Sequence, residues 1–103
     1  MELDELIEVS VLLDYYKNLL SDRQKEYLLL HFEEDLSLSE IAKRHNISRQ
    51  AVYDNIKRGI KILRDYESKI GFHRKEQEIY KELIELKKDF RKDRLEKIIE
   101  KIF

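Results

Sequence analysis

The chain has no cysteine, no proline and no tryptophan, and only two glycines among 103 residues. The absence of thiols excludes a disulfide framework and a thiolate zinc site. With no proline, and glycine confined to positions 59 and 71, helix boundaries must be set by capping side chains rather than by chain breakers. Long apolar runs are also missing. The longest, such as residues 27–30, fall far short of the ~20 residues a membrane span requires. The first residues, Met-Glu-Leu-Asp-Glu, are acidic where a secretory signal would be basic. A soluble, cytoplasmic protein is expected. Runs alternating with period 2 are scarce, whereas Leu, Ile, Glu and Lys dominate, which predicts an all-α fold. The length suits one domain with a modest core.

What is present is helical rhythm. Leu3, Leu6, Ile7, Val11, Leu12, Tyr15, Tyr16 and Leu19 predict a first helix over residues 3–20 with a wide apolar face. Ser21 with Gln24, and Ser37 with Glu40, have the spacing of capping boxes. They predict a second helix over residues 22–34 and a third of ~8 residues. The third should stop at His45-Asn46, because Asn tolerates the left-handed conformation of a tight turn. Ser48 caps a long fourth helix, paced by Val52, Ile56, Ile60, Leu63 and Tyr66 and stopped at Gly71.

Residues 38–58 have the pattern of a helix-turn-helix. Ile41, Ala42, Ile47, Val52 and Ile56 are spaced as a small core, with Ala42 where two helices must approach closely. Arg49, Gln50, Tyr53 and Lys57 are left facing outward. In this motif the second helix enters the major groove with its N-terminal residues nearest the base edges. Arg49 and Gln50 are therefore candidate base readers, followed by Tyr53 and Lys57, while Ser48 serves as cap and phosphate contact. Lys43, Arg44, Lys57, Arg58 and Lys61 would position the nucleic-acid backbone.

The charge distribution agrees, although the net charge is only −1. Residues 1–42 carry 3 Lys/Arg against 11 Asp/Glu, residues 43–64 carry 7 against 1, and residues 65–103 carry 11 against 10. The local field around the fourth helix is thus strongly positive. The competing reading is a solvated cationic face that pairs with the acidic front segment.

Other features have plainer explanations. Tyr15, Tyr16, Tyr27 and Tyr66 could stack on unpaired bases, but at helical spacing among Leu and Ile they are expected in the core with hydroxyls at its rim. Asn55 lies toward the packed side and is expected to bond the neighbouring backbone. His31, His45 and His73 lack metal-ligand spacing, and packing, turn and surface roles suit them in that order. No Gly-rich phosphate loop and no distinguishable nucleophile set exists, so neither catalysis, nor a cofactor, nor a metal is expected.

After Phe72 the character changes. Ile79, Leu83, Leu86 and Phe90 form one narrow apolar stripe, and Leu95, Ile98, Ile99 and Ile102 another, separated by a charged break around Lys92-Asp93. Such stripes must pack onto the first four helices or onto another chain. The expected organisation is a helix-turn-helix domain over residues 1–72 and a C-terminal helical extension over residues 73–103, used for intrachain packing or for a homodimer.

The helix-turn-helix resembles region 4 of bacterial sigma factors, whose promoter-reading helix has similar Ser-Arg-Gln/Glu-x-Val spacing. It resembles more closely the small YlxM-like family of Gram-positive bacteria and their relatives. The likeness rests on Leu13-Asp14-Tyr15-Tyr16, Leu20-Ser21-Asp22-Arg23-Gln24, the segment from Leu36 to Ala42, and above all Ser48-Arg49-Gln50-Ala51-Val52-Tyr53-Asp54-Asn55-Ile56-Lys57-Arg58. It covers about residues 9–70. Asn55 departs from the sigma pattern, where an apolar residue is common. The resemblance implies a DNA-binding or regulatory protein linked to the signal recognition particle pathway, because the family's genes commonly lie beside those for the particle's GTPase protein and its receptor. It also implies the particle's RNA or protein subunit as alternative partners. A protein-interaction adaptor that uses the same fold without contacting bases is the other functional class.

Overall fold

A computed structural model describes residues 2–102. Among these residues it contains six α-helices, one 3-10 turn and no strand: α1 Leu3–Tyr16, the 3-10 turn Lys17–Leu19, α2 Asp22–Phe32, α3 Leu38–His45, α4 Arg49–Ile70, α5 Phe72–Lys88 and α6 Lys92–Ile102. The fold is all-α, as the composition and periodicity predict. Contacts divide the chain into two compact units, meeting between Ile70 and Gly71.

The first unit is built around α4. Val9, Leu12, Leu13 and Tyr16 of α1, Tyr27, Leu28 and Leu30 of α2, and Ile41 and Ala42 of α3 are buried together with Val52, Ile56, Ile60 and Leu63 of α4. Ile47 of the turn is half-buried against this cluster. Ala42 is buried in this cluster, and a second small residue, Gly59, lies where α4 meets α2. A Cβ on Gly59 would stand 2.8 Å from Leu28 Cδ1, so α4 sits on α2 at a position only glycine fits without displacement.

Capping sets the boundaries. Ser37 and Glu40 form the full reciprocal box: the Glu40 N–H donates to Ser37 Oγ, and the Ser37 N–H donates to Glu40 Oε1, both at 3.1 Å. Asn46 closes α3 in the left-handed region (φ 54, ψ 46), its N–H directed to Ala42 and Lys43 carbonyls. Asp35 is also left-handed (φ 57), within the loop that leads to Ser37. The Ala51 N–H donates to Ser48 Oγ at 3.0 Å, as a cap requires.

Two boundaries and one cap differ from expectation. The first helix ends at Tyr16, not residue 20, and tightens into the 3-10 turn before Leu20 turns extended. The Ser21 box is half-formed: Ser21 Oγ accepts from the Gln24 N–H at 3.3 Å, but the Gln24 side chain meets the Ser21 hydroxyl instead of the backbone. The break after the fifth helix spans residues 89–91, so Lys92 and Asp93 open α6 rather than interrupt it. Asp93 in a first turn favours that start through the helix dipole.

Tyrosines hold the C-terminal half of α4. Tyr16, fully buried, donates from its hydroxyl to Glu67 at 2.7 Å, and the Tyr66 hydroxyl donates to the Leu19 carbonyl at 3.2 Å. The Tyr16 and Tyr66 ring centroids lie 6.0 Å apart. Tyr16 and Tyr27 are core residues, and Tyr15 and Tyr66 half-buried ones, as their spacing implies.

In the second unit, α5 and α6 pack against one another. Leu86 and Ile98 are buried, and Lys101 of α6 pairs with Glu82 of α5. Leu83, Ile84, Phe90, Ile99 and Ile102 remain exposed. Gly71 opens this unit at φ 71, a left-handed conformation that suits glycine.

Candidate nucleic-acid interface

At 3.6 residues per turn, Gln50, Tyr53, Lys57, Lys61 and Arg64 fall within about 80° of one face of α4, adjoining the buried stripe. From Arg49 to Arg64 the rise is about 22 Å. Arg49, Gln50, Tyr53, Lys57 and Lys61 are exposed. They line an open groove whose other wall comes from Glu5 of α1, His31 of α2, and Ser37 and Leu38 at the start of α3.

Local bonds fix several of these side chains. The Gln50 amide donates to Asp54 Oδ1 at 3.0 Å, one turn along. Lys57 Nζ stands 5.7 Å from the centre of the Tyr53 ring, within reach of a cation–π attraction. Asn55 donates to the Ala51 carbonyl at 2.9 Å, the backbone role its position implies, and accepts from Arg58 Nη2 at 3.3 Å. His31 Nδ1 lies 2.8 Å from the Leu36 carbonyl, so that nitrogen carries the proton and donates.

Of the predicted residues, the groove gathers Arg49, Gln50, Tyr53, Lys57, Arg58 and Lys61. Lys43 and Arg44 do not line it. They are exposed on the last turn of α3, where cations complement the helix dipole. Ser48 is exposed at the mouth of α4, engaged as its cap. Among the described residues Lys43, Arg44, Arg49, Lys57 and Lys61 form no salt bridge, so the cationic face is not neutralised by the acidic front segment.

Two polar side chains of α4 that line the groove, Arg64 and Asp54, were missing from the sequence-based set. Arg64 lies seven residues after Lys57, a spacing that keeps the same helix face. It makes a two-point contact with Glu8 of α1, Nη2 to Oε1 at 2.7 Å and Nε to Oε2 at 3.3 Å. Hydrogen bonding to Glu8, helped by the charges of Glu8 and Glu5, raises its pKa further. Pairing of opposite charge therefore does occur, but only at the far end of the stripe. Asp54, the sole acid within residues 43–64, is the other omission. Its four-residue offset from Gln50 was the available signal.

Among the described residues no group of His, Asp and Glu has the arrangement to hold a metal ion, and no helix is long and apolar enough to cross a membrane. The arrangement suits binding: separated cations, one exposed aromatic ring, and hydrogen-bonding groups on a rigid helix.

Comparison with known proteins agrees with this architecture. Residues 3–102 match the family UPF0122, described as "Putative helix-turn-helix protein, YlxM / p13 like". A UPF0122 protein of Fusobacterium nucleatum subsp. nucleatum is 60% identical over 102 residues, covering 99% of each chain. One from Clostridium novyi is 48% identical over 79 residues, covering 77% of this chain and 69% of its own. One from Bacillus velezensis is 45% identical over 78 residues, covering 76% and 71%. With a helix-turn-helix in the structure and similarity over nearly its whole length, the chain belongs to the UPF0122, YlxM/p13-like family.

Proposed function

We propose that the protein is a nucleic-acid-binding regulator that works in the cytoplasm, with α4 as its recognition helix. The observation that carries this reading is the exposed cationic face of α4, where among the described residues Arg49, Lys57 and Lys61 form no salt bridge, with Arg49 and Gln50 on its leading turn. Duplex DNA is the preferred ligand, because a straight helix fits the major groove of B-form DNA but not the deep, narrow one of A-form RNA. The proposed regulator acts in protein targeting by the signal recognition particle, an expectation that rests on the family resemblance, and the particle's RNA is the second candidate ligand. That RNA would be met through its backbone or unpaired loops.

Salt dependence tests this directly. Binding that weakens linearly on a log–log salt plot, with a slope reduced by about 0.9 in Lys57→Ala, identifies Lys57 as a phosphate contact. An unchanged slope removes it from the interface.

One observation favours the adaptor reading. Glu5 and Glu8 stand at the far end of the same stripe and would repel a phosphate backbone while welcoming a basic protein. Under that reading the partner is the particle's protein subunit, and binding to it survives where nucleic-acid binding is absent.

A homodimer would cover the apolar side chains left open on α5 and α6. Sedimentation equilibrium of the full chain and of a Leu83→Glu/Ile99→Glu variant tests this. A dimer that dissociates in the variant supports the pairing, and a monomer in both removes it.

A further inference from the structure

We propose that Asp54 sets base preference at this interface, selecting a base that offers an amino donor in the major groove, cytosine above adenine. The inference rests on α4 acting as the recognition helix and extends it to a sequence preference. Asp54 is exposed at the edge of the stripe and lines the same groove as Tyr53 and Lys57. It is the only negative group among residues 43–64. Lys57 and Arg58 stand one turn further on, yet among the described residues Asp54 forms no salt bridge. It accepts instead from the neutral Gln50 amide at 3.0 Å.

That bond fixes the chemistry of the pair. A carboxylate only accepts, so the Gln50 nitrogen must face Asp54 and the amide oxygen is turned away. One carboxylate oxygen and the remaining lone pairs stay free. Together the two side chains present mostly acceptors to whatever enters the groove. In the major groove only cytosine N4 and adenine N6 donate, while guanine offers the acceptors N7 and O6. Guanine opposite Asp54 would set acceptor against acceptor. Adenine N6 is flanked by acceptors on both sides, its own N7 and the O4 of the paired thymine, whereas cytosine N4 is flanked on one side only, by the O6 of the paired guanine, so cytosine is the better match. Against phosphate the same carboxylate only repels, so Asp54 lowers affinity for every sequence except where it meets a donor.

Selection of the full chain against a randomised duplex library at one fixed salt concentration tests this, with Asp54→Ala and Asp54→Asn alongside. The wild type should favour cytosine over guanine at one position by about 10-fold or more. Asp54→Ala should reduce that preference to below about 2-fold, keep the rest of the motif, and bind unrelated duplex more tightly. Asp54→Asn, which offers a donor and an acceptor, should shift the preference toward adenine. An Asp54→Ala motif identical to that of the wild type, or an equal affinity gain on all sequences, overturns the inference. Salt-dependent duplex binding with no preference overturns the inference alone. No binding to any duplex overturns both it and the DNA reading of α4.

Discussion

Replacing Gly59 with alanine should destabilise the protein, although the same change at an exposed helix position would stabilise it. The added Cβ would lie 2.8 Å from Leu28 Cδ1, 3.4 Å from Cγ and 3.8 Å from Cδ2. Leu28 is fully buried, and in a close-packed interior a shift of its methyl group must displace neighbouring side chains. Overpacking of this kind costs about 1–3 kcal/mol. The gain in helix propensity, about 1 kcal/mol, offsets part of that. The expected net loss is about 1 kcal/mol, read as a lower urea midpoint at unchanged m-value. A second variant isolates the cause. Leu28→Ala alone should cost about 2–5 kcal/mol through the cavity it leaves. In that background Gly59→Ala meets no methyl group and should stabilise by about 1 kcal/mol from propensity alone. A stabilising Gly59→Ala in the otherwise unaltered protein, or the same sign in both backgrounds, refutes the account of how α4 sits on α2.

Two further outcomes follow from the ion pairs and caps. Glu8→Gln should release Arg64 to the groove, raise nucleic-acid affinity and steepen the salt slope by about 0.9, while changing stability by less than about 1 kcal/mol because the pair is solvent-exposed. An unchanged slope leaves Arg64 outside the contact. At α3, hydrogen bonds from the Ser37 backbone and hydroxyl, with smaller help from Arg44 and Lys43, hold the Glu40 carboxyl below its ordinary value. The sign follows from that depression: the contribution is complete above the unfolded carboxylate range and is lost as pH falls through the lower folded value. Melts of the wild type and Glu40→Gln should therefore differ at neutral pH and converge in acid. A gap that does not narrow as pH falls below the ordinary carboxylate range counts against the capping box as its source.

Much of the first unit was legible because its signals are local. Ser37 with Glu40, Asn46 and Ser48 each act within one turn, so their spacing alone marks the helix-turn-helix and its left-handed corner. The burial of Ile41, Val52 and Ile56 follows from the 3.6-residue period in the same way. What escaped depends on contacts far apart in sequence. Nothing near Gly59 announces Leu28, thirty-one residues earlier, as the reason for a glycine inside a long helix. Arg64 reads as one more surface cation until α1 brings Glu8 to it. Asp54 is hidden in the sequence for a different reason. A lone acid in a basic run looks like noise in a charge count, and its meaning comes only from the bond it makes to Gln50. The early end of the first helix, at Tyr16, is tertiary as well. The full rotation of a regular helix through residue 20 gives way to a tighter turn, and Tyr66 binds the Leu19 carbonyl that this turn exposes.

The 22 residues of α4 do two jobs on one rod: its outward side chains form the cationic face, and Val52, Ile56, Ile60 and Leu63 close the core. Nothing that grips the leading turn can be indifferent to whether the rest of the chain is folded. A ligand held at a hundred times its Kd would add about 2.7 kcal/mol to the free energy of unfolding. In a cell, an unoccupied copy would open more often and be degraded sooner, so the amount of this protein would track the supply of whatever it binds.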